Sequence, residues 1–141
     1  RSEWRTASGG QVTCFTPTAR WTTSHKTVMA GMKMYFQPTS SLILFSLAAV
    51  GTNSVAKCGG AVGMVVGTGE APNRNDPLTG QLMISMKIFD VAFAGQRVPI
   101  SFTDFWGYLI PGQTYWLDAD WNTAVGGNFT LYQITICVAS V

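Results

Sequence analysis

The feature that most constrains the fold of this chain is a pair of segments around a Pro-Gly turn, residues 107–114 and 115–121, that read as strands. After Pro111-Gly112, side chains alternate along residues 115–121: one face carries Tyr115, Leu117, Ala119 and Trp121, and the other Trp116, Asp118 and Asp120. A period of two predicts a β-strand with one inward and one solvent face. An apolar segment from Phe129 to Val141 then ends without a polar tail, so we expect this last strand inside a sheet.

The rest of the sequence predicts more short strands and no helix. Glycine and β-branched residues are spread throughout, and no apolar stripe of helical period persists. Turn residues separate five further predicted strands, at 29–37, 42–50, 55–67, 81–93 and 98–102. Residues 42–50 are apolar on both faces, which predicts a central strand covered twice, whereas Pro99 suits an edge strand. This pattern predicts an all-β fold, an antiparallel, jelly-roll-like β-sandwich with an extended N-terminal arm.

The N-terminal residues differ in composition from the rest. Residues 1–26 are rich in Thr and Ser and have one acid, Glu3, against four basic residues. We interpret residues 1–26 as an extended docking arm with one short strand, Gln11 to Phe15, and residues 27–141 as the sandwich domain. The arm residues expected to bind the partner, by charge or by aromatic burial, are Arg1, Trp4, Arg5, Arg20, Trp21 and Lys26.

The charge of the chain favours assembly over nucleic-acid binding. Charged residues make up only 11% of the chain and the mean hydropathy is +0.20, so we expect other copies to cover part of the surface. A net charge of +2 is too small to indicate nucleic-acid binding. No apolar run is long enough to span a bilayer, so membrane insertion is not expected.

The three cysteines, Cys14, Cys58 and Cys137, form no pattern typical of a metal site. The first interpretation is three small, partly buried thiols in a protein assembled in a reducing compartment. The alternative is one disulfide, with Cys58 and Cys137 favoured because both lie in predicted strands.

No residue pattern indicates catalysis, a cofactor or a metal. The only histidine, His25, has no marked partners for a nucleophilic triad. Asp118 and Asp120 are the only close carboxylate pair, and alternate acids on a strand are typical of its solvent face. We therefore expect a protein that is not an enzyme, with no catalytic residues, metal ligands or cofactor.

Several segments, in this order, give the chain a family resemblance. They are Phe36-Gln37-Pro38-Thr39-Ser40-Ser41 before an apolar strand, Val66 to Pro72 with Leu78-Thr79-Gly80, Leu109 to Leu117, and the last strand after Gly126-Gly127. With these, residues 27–141 resemble the C1q/TNF-like jelly-roll domains at the C-termini of bacteriophage virion proteins. The chain departs from that family in its ending, Ala139-Ser140-Val141, where members often finish with Glu-Leu, and in residues 1–26, which have no counterpart.

The resemblance implies a homotrimer that is a structural protein of a phage virion, on the particle surface and assembled in the bacterial host cytoplasm. It implies a capsid decoration (cement) or head-fibre protein that binds the major capsid protein or other virion proteins. The alternative is a tail-fibre tip that recognises a host surface glycan. In domains of this shape the strand after the Pro-Gly turn lines the three-fold axis, which implies trimer contacts at Tyr115, Leu117, Ala119 and Leu131.

Overall fold

The computed structural model describes residues 2–5, 11–16, 21–23, 33–73, 76, 79–123 and 126–141. Their ordered elements are all strands: β1 Ser2–Arg5, β2 Gln11–Phe15, β3 Trp21–Thr23, β4 Met34–Phe36, β5 Ile43–Asn53, β6 Gly59–Thr68, β7 Gln81–Asp90, β8 Val98–Trp106, β9 Tyr115–Thr123 and β10 Phe129–Ser140. Within these ranges no helix is long and apolar enough to cross a membrane.

The strands form two antiparallel sheets that pack as a sandwich. The larger sheet has the order β1-β2-β10-β5-β8, with β3 also paired to β10, and the smaller has the order β4-β9-β6-β7. The predicted all-β sandwich is confirmed. The last strand, β10, lies inside its sheet between β5 on one side and β2 and β3 on the other, as its apolar ending predicted.

The core fills the space between the two sheets. The larger sheet supplies alternate residues of β5, β8 and β10, and the smaller supplies alternate residues of β4, β6 and β9 with Met83 of β7. In β4, which lies within the strand predicted at 29–37, side chains alternate: Met34 and Phe36 are buried, whereas Tyr35 is exposed. In β5 the prediction of two covered faces is only partly correct: one face is buried and the other is partly exposed.

A β-bulge changes the periodicity of β10. Tyr132 pairs with Val50 and Thr135 with Ala48, so three steps along β10 oppose two along β5. Gln133 has a positive φ of 53° within this irregularity. The extra residue lets Leu131 and Ile134 both point into the core, although a strict period of two would place them on opposite faces.

The smaller sheet is covered on its outer face as well, which corrects the prediction for β9. Trp116 and Asp118 are both buried, whereas the sequence placed them on a solvent face. Residues 69–73 fold back after β6, so that Trp116 packs against Ala71 and Val65. The side chain of Asp120 lies outside the described residues.

The N-terminal strands β1, β2 and β3 belong to the larger sheet, and β2 is also joined to it covalently. β2 pairs with β10 in a register that sets Cys14 directly opposite Cys137, and the two form a disulfide. Cys58 is a buried free thiol. The prediction of three free thiols, and of Cys58–Cys137 as the alternative pair, is therefore wrong, because Cys58 precedes a strand of the other sheet while β2 brings Cys14 beside β10.

Candidate interaction surface at one end of the sandwich

One end of the sandwich carries a fixed loop that joins β8 to β9. Leu109 is buried in the core and its N–H donates to the Ser41 carbonyl at 3.1 Å. The Ile110 N–H donates to the Tyr115 hydroxyl at 2.9 Å, and the Gly112 N–H donates to the Pro38 carbonyl at 2.8 Å. Bonds to the turn at residues 38–41 and to the first residue of β9 hold this loop in one conformation.

The same loop presents Tyr108 to solvent in a strained conformation. Tyr108 has a φ of 62°, in the left-handed region that side chains with a Cβ rarely adopt. Its side chain is fully exposed, and the next residue is the buried Leu109. The backbone turn thus inserts Leu109 into the core and directs Tyr108 away from it.

Four further exposed apolar side chains lie on this loop or on segments linked to it, and together with Tyr108 we call them the apolar end. Val141 donates its N–H to the Leu42 carbonyl at 3.0 Å, which joins the C-terminus to the start of β5. Phe105 pairs with Leu44 across β8 and β5. The exposed members of the apolar end are Leu42, Phe105, Tyr108, Ile110 and Val141.

Beside the apolar end lies a groove of about 720 Å³. One wall is formed by the end of β8 and the loop that follows it, including Trp106 and Tyr108. The other wall is formed by the end of β6 and the start of β7. Gly67 lets the buried ring of Trp116 pack directly on its backbone beneath the groove, because a Cβ there would overlap Cζ2 of Trp116. The groove combines aromatic rings with uncharged polar side chains, namely Thr68, Thr79 and Gln81.

The opposite end of the sandwich is fixed by one buried polar side chain. Asn53 donates from Nδ2 to the carbonyls of Gly59 and Gly126, both at 2.9 Å, and its Oδ1 accepts the N–H of Val55 at 2.9 Å. These bonds join the turn between β5 and β6 to the turn that precedes β10. Phe93 is exposed at this end.

The four residues expected at a trimer axis lie together in the core of a single chain. Leu117, Ala119 and Leu131 have no exposed surface, and Tyr115 is 8% exposed. A side chain buried between its own two sheets has no area left for a second chain. Tyr115 instead supports the apolar end through its hydroxyl, so contacts between chains would have to use other residues.

The expected docking residues are only partly described. The backbone of Trp4 and Arg5 lies in β1, and that of Trp21 begins β3, which pairs with β10. Arg1, Arg20 and Lys26 lie outside the described residues. The described parts of residues 1–26 are paired in the larger sheet, and their role in docking stays a prediction.

Metal-ligating residues do not converge within the described ranges. No group of three or more His, Cys, Asp or Glu side chains is placed there to hold a metal ion. Sequence reasoning missed the apolar end because its members come from three separate segments. The available signal was charge, since the three segments that contribute to it, residues 37–50, 105–114 and 129–141, contain no Asp, Glu, Lys or Arg.

Comparison with known proteins gives a likeness of fold. No protein-family model matches the chain, and no curated protein matches its sequence. Similar solved structures include that of the Gt strain of infectious bursal disease virus, with a TM-score of 0.59 and 8% identity over 93% of this chain. The VP2 subviral particle of that virus gives a TM-score of 0.55 and 10% identity, also over 93%. This chain spans 33% and 32% of those two chains, about a third of their length, and at such identities the likeness establishes a shared β-sandwich fold.

Proposed function

We propose that this chain is a structural protein of a virus particle. The observation that carries the proposal is the likeness of nearly the whole chain to one domain-sized part of the chains in infectious bursal disease virus structures, one of them a subviral particle. Because sequence identity is so low, this argument rests on fold, and the chain's own surface supplies independent support.

The surface suits a protein that works in contact with other chains. A small domain that remains alone in water usually keeps its surface charged and its apolar patches small. This chain has few charges and places five apolar side chains at one end. Its disulfide and its continuous core give a rigid unit of the kind that a shell requires.

Within that role, our finer proposal is a homotrimeric capsid decoration (cement) or head-fibre protein on the surface of a bacteriophage, bound to the major capsid protein. The resemblance of residues 27–141 to phage virion domains supports it. Docking would use side chains of the N-terminal strands while their backbones remain paired in the sheet, rather than a free arm.

The second candidate is a tail-fibre tip that binds a host surface glycan. The groove favours it, because aromatic rings beside uncharged hydroxyl and amide groups are suited to stacking on and hydrogen bonding to a neutral sugar. Titration with neutral oligosaccharides, followed by chemical shifts of Thr79 and Gln81, tests this candidate directly.

Particle composition tests the main proposal. We expect quantitative mass spectrometry of purified particles to find this chain in hundreds of copies if it builds or decorates the shell, and in a handful if it forms a fibre. Its absence from purified particles would contradict a structural role. Particles that lack the chain and lose stability to heat or dilution would identify it as a cement.

A further inference from the structure

The apolar end is uncharged over an unusually long stretch of chain. Its five members come from three segments, 37–50, 105–114 and 129–141, and none of these segments contains Asp, Glu, Lys or Arg. The exposed Asp104 directly precedes Phe105, but the three segments themselves carry no like charges that would oppose a contact between two copies.

Tyr108 has the properties of an interface anchor. A non-glycine residue with a positive φ carries strain of roughly 1 kcal/mol or more, and such strain is typical of functional positions. The hydrogen bonds of Leu109, Ile110 and Gly112 hold this conformation in the single chain. Association therefore requires little ordering of the loop, so the entropic cost of association is lower.

We infer that the apolar end binds the apolar end of a second copy of this chain, with Tyr108 of each copy seated in the neighbouring groove of the other. This inference rests on the proposed role in a particle, where copies must contact one another. Anchor and groove lie side by side on the same surface, so one two-fold contact can satisfy both copies. This contact is separate from the three-fold contacts of the proposed homotrimer and would join one trimer to another.

The exposed area agrees with a contact between copies. With the exposures of the five side chains, 37% to 103%, the apolar end presents roughly 500 Å² of apolar side-chain surface. A standard interface buries about 800 Å² from each partner, of which somewhat more than half, roughly 450 Å², is apolar. The apolar end can thus supply the apolar part of such an interface without further residues.

A glycan fits the apolar end less well than a second copy does. Sugars are recognised by several polar groups that point into the site, and Tyr108 carries the only polar side-chain atom among the five members. The polar side chains lie on the far wall of the groove, where a tyrosine hydroxyl from another copy could reach them.

The test compares two phenylalanines of nearly equal exposure at opposite ends of the sandwich. Phe105, in the apolar end, is 55% exposed and Phe93 is 60% exposed. We expect sedimentation equilibrium of the purified chain to show that Phe105→Lys weakens self-association roughly 30-fold or more, whereas Phe93→Lys changes it less than about 3-fold.

A second variant separates association from folding. Tyr108→Gly removes the anchor and also relieves the positive φ, so we expect association to weaken roughly 30-fold or more while the unfolding midpoint stays the same or rises. Loss of both association and stability would point to a structural role for Tyr108 and contradict the inference.

Other outcomes are equally decisive. A wild-type chain that is monomeric at about 100 μM, or variants at both ends that associate equally, would overturn the inference. Binding of a neutral oligosaccharide at Tyr108 without self-association would overturn it in favour of the glycan candidate. Self-association is measured on the purified chain and particle composition on particles, so failure of this contact is distinguishable from failure of the proposed function.

Discussion

The disulfide between Cys14 and Cys137 should supply a large part of the stability of the fold. It joins residues separated by 123 positions, and in doing so it fixes β2 to the last strand. Both partners belong to a small cluster with Val12 and Ala139, apart from the main core. The perturbation is the double substitution Cys14→Ala and Cys137→Ala, which removes the covalent link and retains small apolar side chains.

The separation sets the size of the effect. Closing a loop of this length restricts the unfolded chain by about 5 kcal/mol at 25 °C when treated as chain entropy. Measured effects of native disulfides are often smaller, so we expect a loss of about 3–5 kcal/mol. That is a large share of the total of about 5–15 kcal/mol that is typical of a domain.

Urea unfolding followed by the fluorescence of the five tryptophans measures this loss. Reductant should lower the free energy of unfolding of the wild-type chain, and it should have no effect on the double variant. The control is Cys58→Ala, which removes the free thiol and should leave the response to reductant intact. Alkylation of the unfolded, unreduced chain should label one cysteine.

The reasoning would be refuted by three labelled cysteines in the unreduced chain, or by a response to reductant below about 1 kcal/mol. Either result would show that the cysteines are reduced, as the sequence alone favoured. A response that disappears in Cys58→Ala instead would show that the disulfide involves Cys58.

Three further substitutions test the packing. Asn53→Ala should lower the free energy of unfolding, measured by urea titration, by about 2–4 kcal/mol, because it leaves buried backbone groups without their hydrogen-bond partner. A change below about 1 kcal/mol would show that water replaces the side chain. Gly67→Ala should lower the free energy of unfolding by about 1–3 kcal/mol, because the added Cβ would overlap the buried ring of Trp116. Gly126→Ala is the control, since its Cβ would meet nothing within 4 Å, and equal effects of the two substitutions would contradict the close contact. Leu117→Ala should cost about 3–5 kcal/mol in the isolated chain; if it weakened only association, Leu117 would lie at a chain interface after all.

Local patterns in the sequence were sufficient for the fold class and most strands. Alternation with a period of two identified Tyr115, Leu117 and Ala119 as the inward residues of β9, and Pro99 indicated that β8 lies at an edge. The uncharged ending of β10 indicated a strand inside a sheet. Each of these follows from neighbours within a few residues, and the strand geometry that they report is local.

Tertiary structure alone decided which faces are covered and which cysteines pair. Trp116 and Asp118 alternate as a solvent face would, yet both are buried. Ala71, in the segment that folds back after β6, packs on Trp116, and no local period can report a loop that folds back. Leu131 and Ile134 share a face only because the bulge in β10 adds a residue opposite β5. Cys14 meets Cys137, and the apolar end assembles around Tyr108, through contacts between segments far apart in the chain. Such contacts depend on strand order and register, and these are set by the packing of the whole sandwich rather than by adjacent residues.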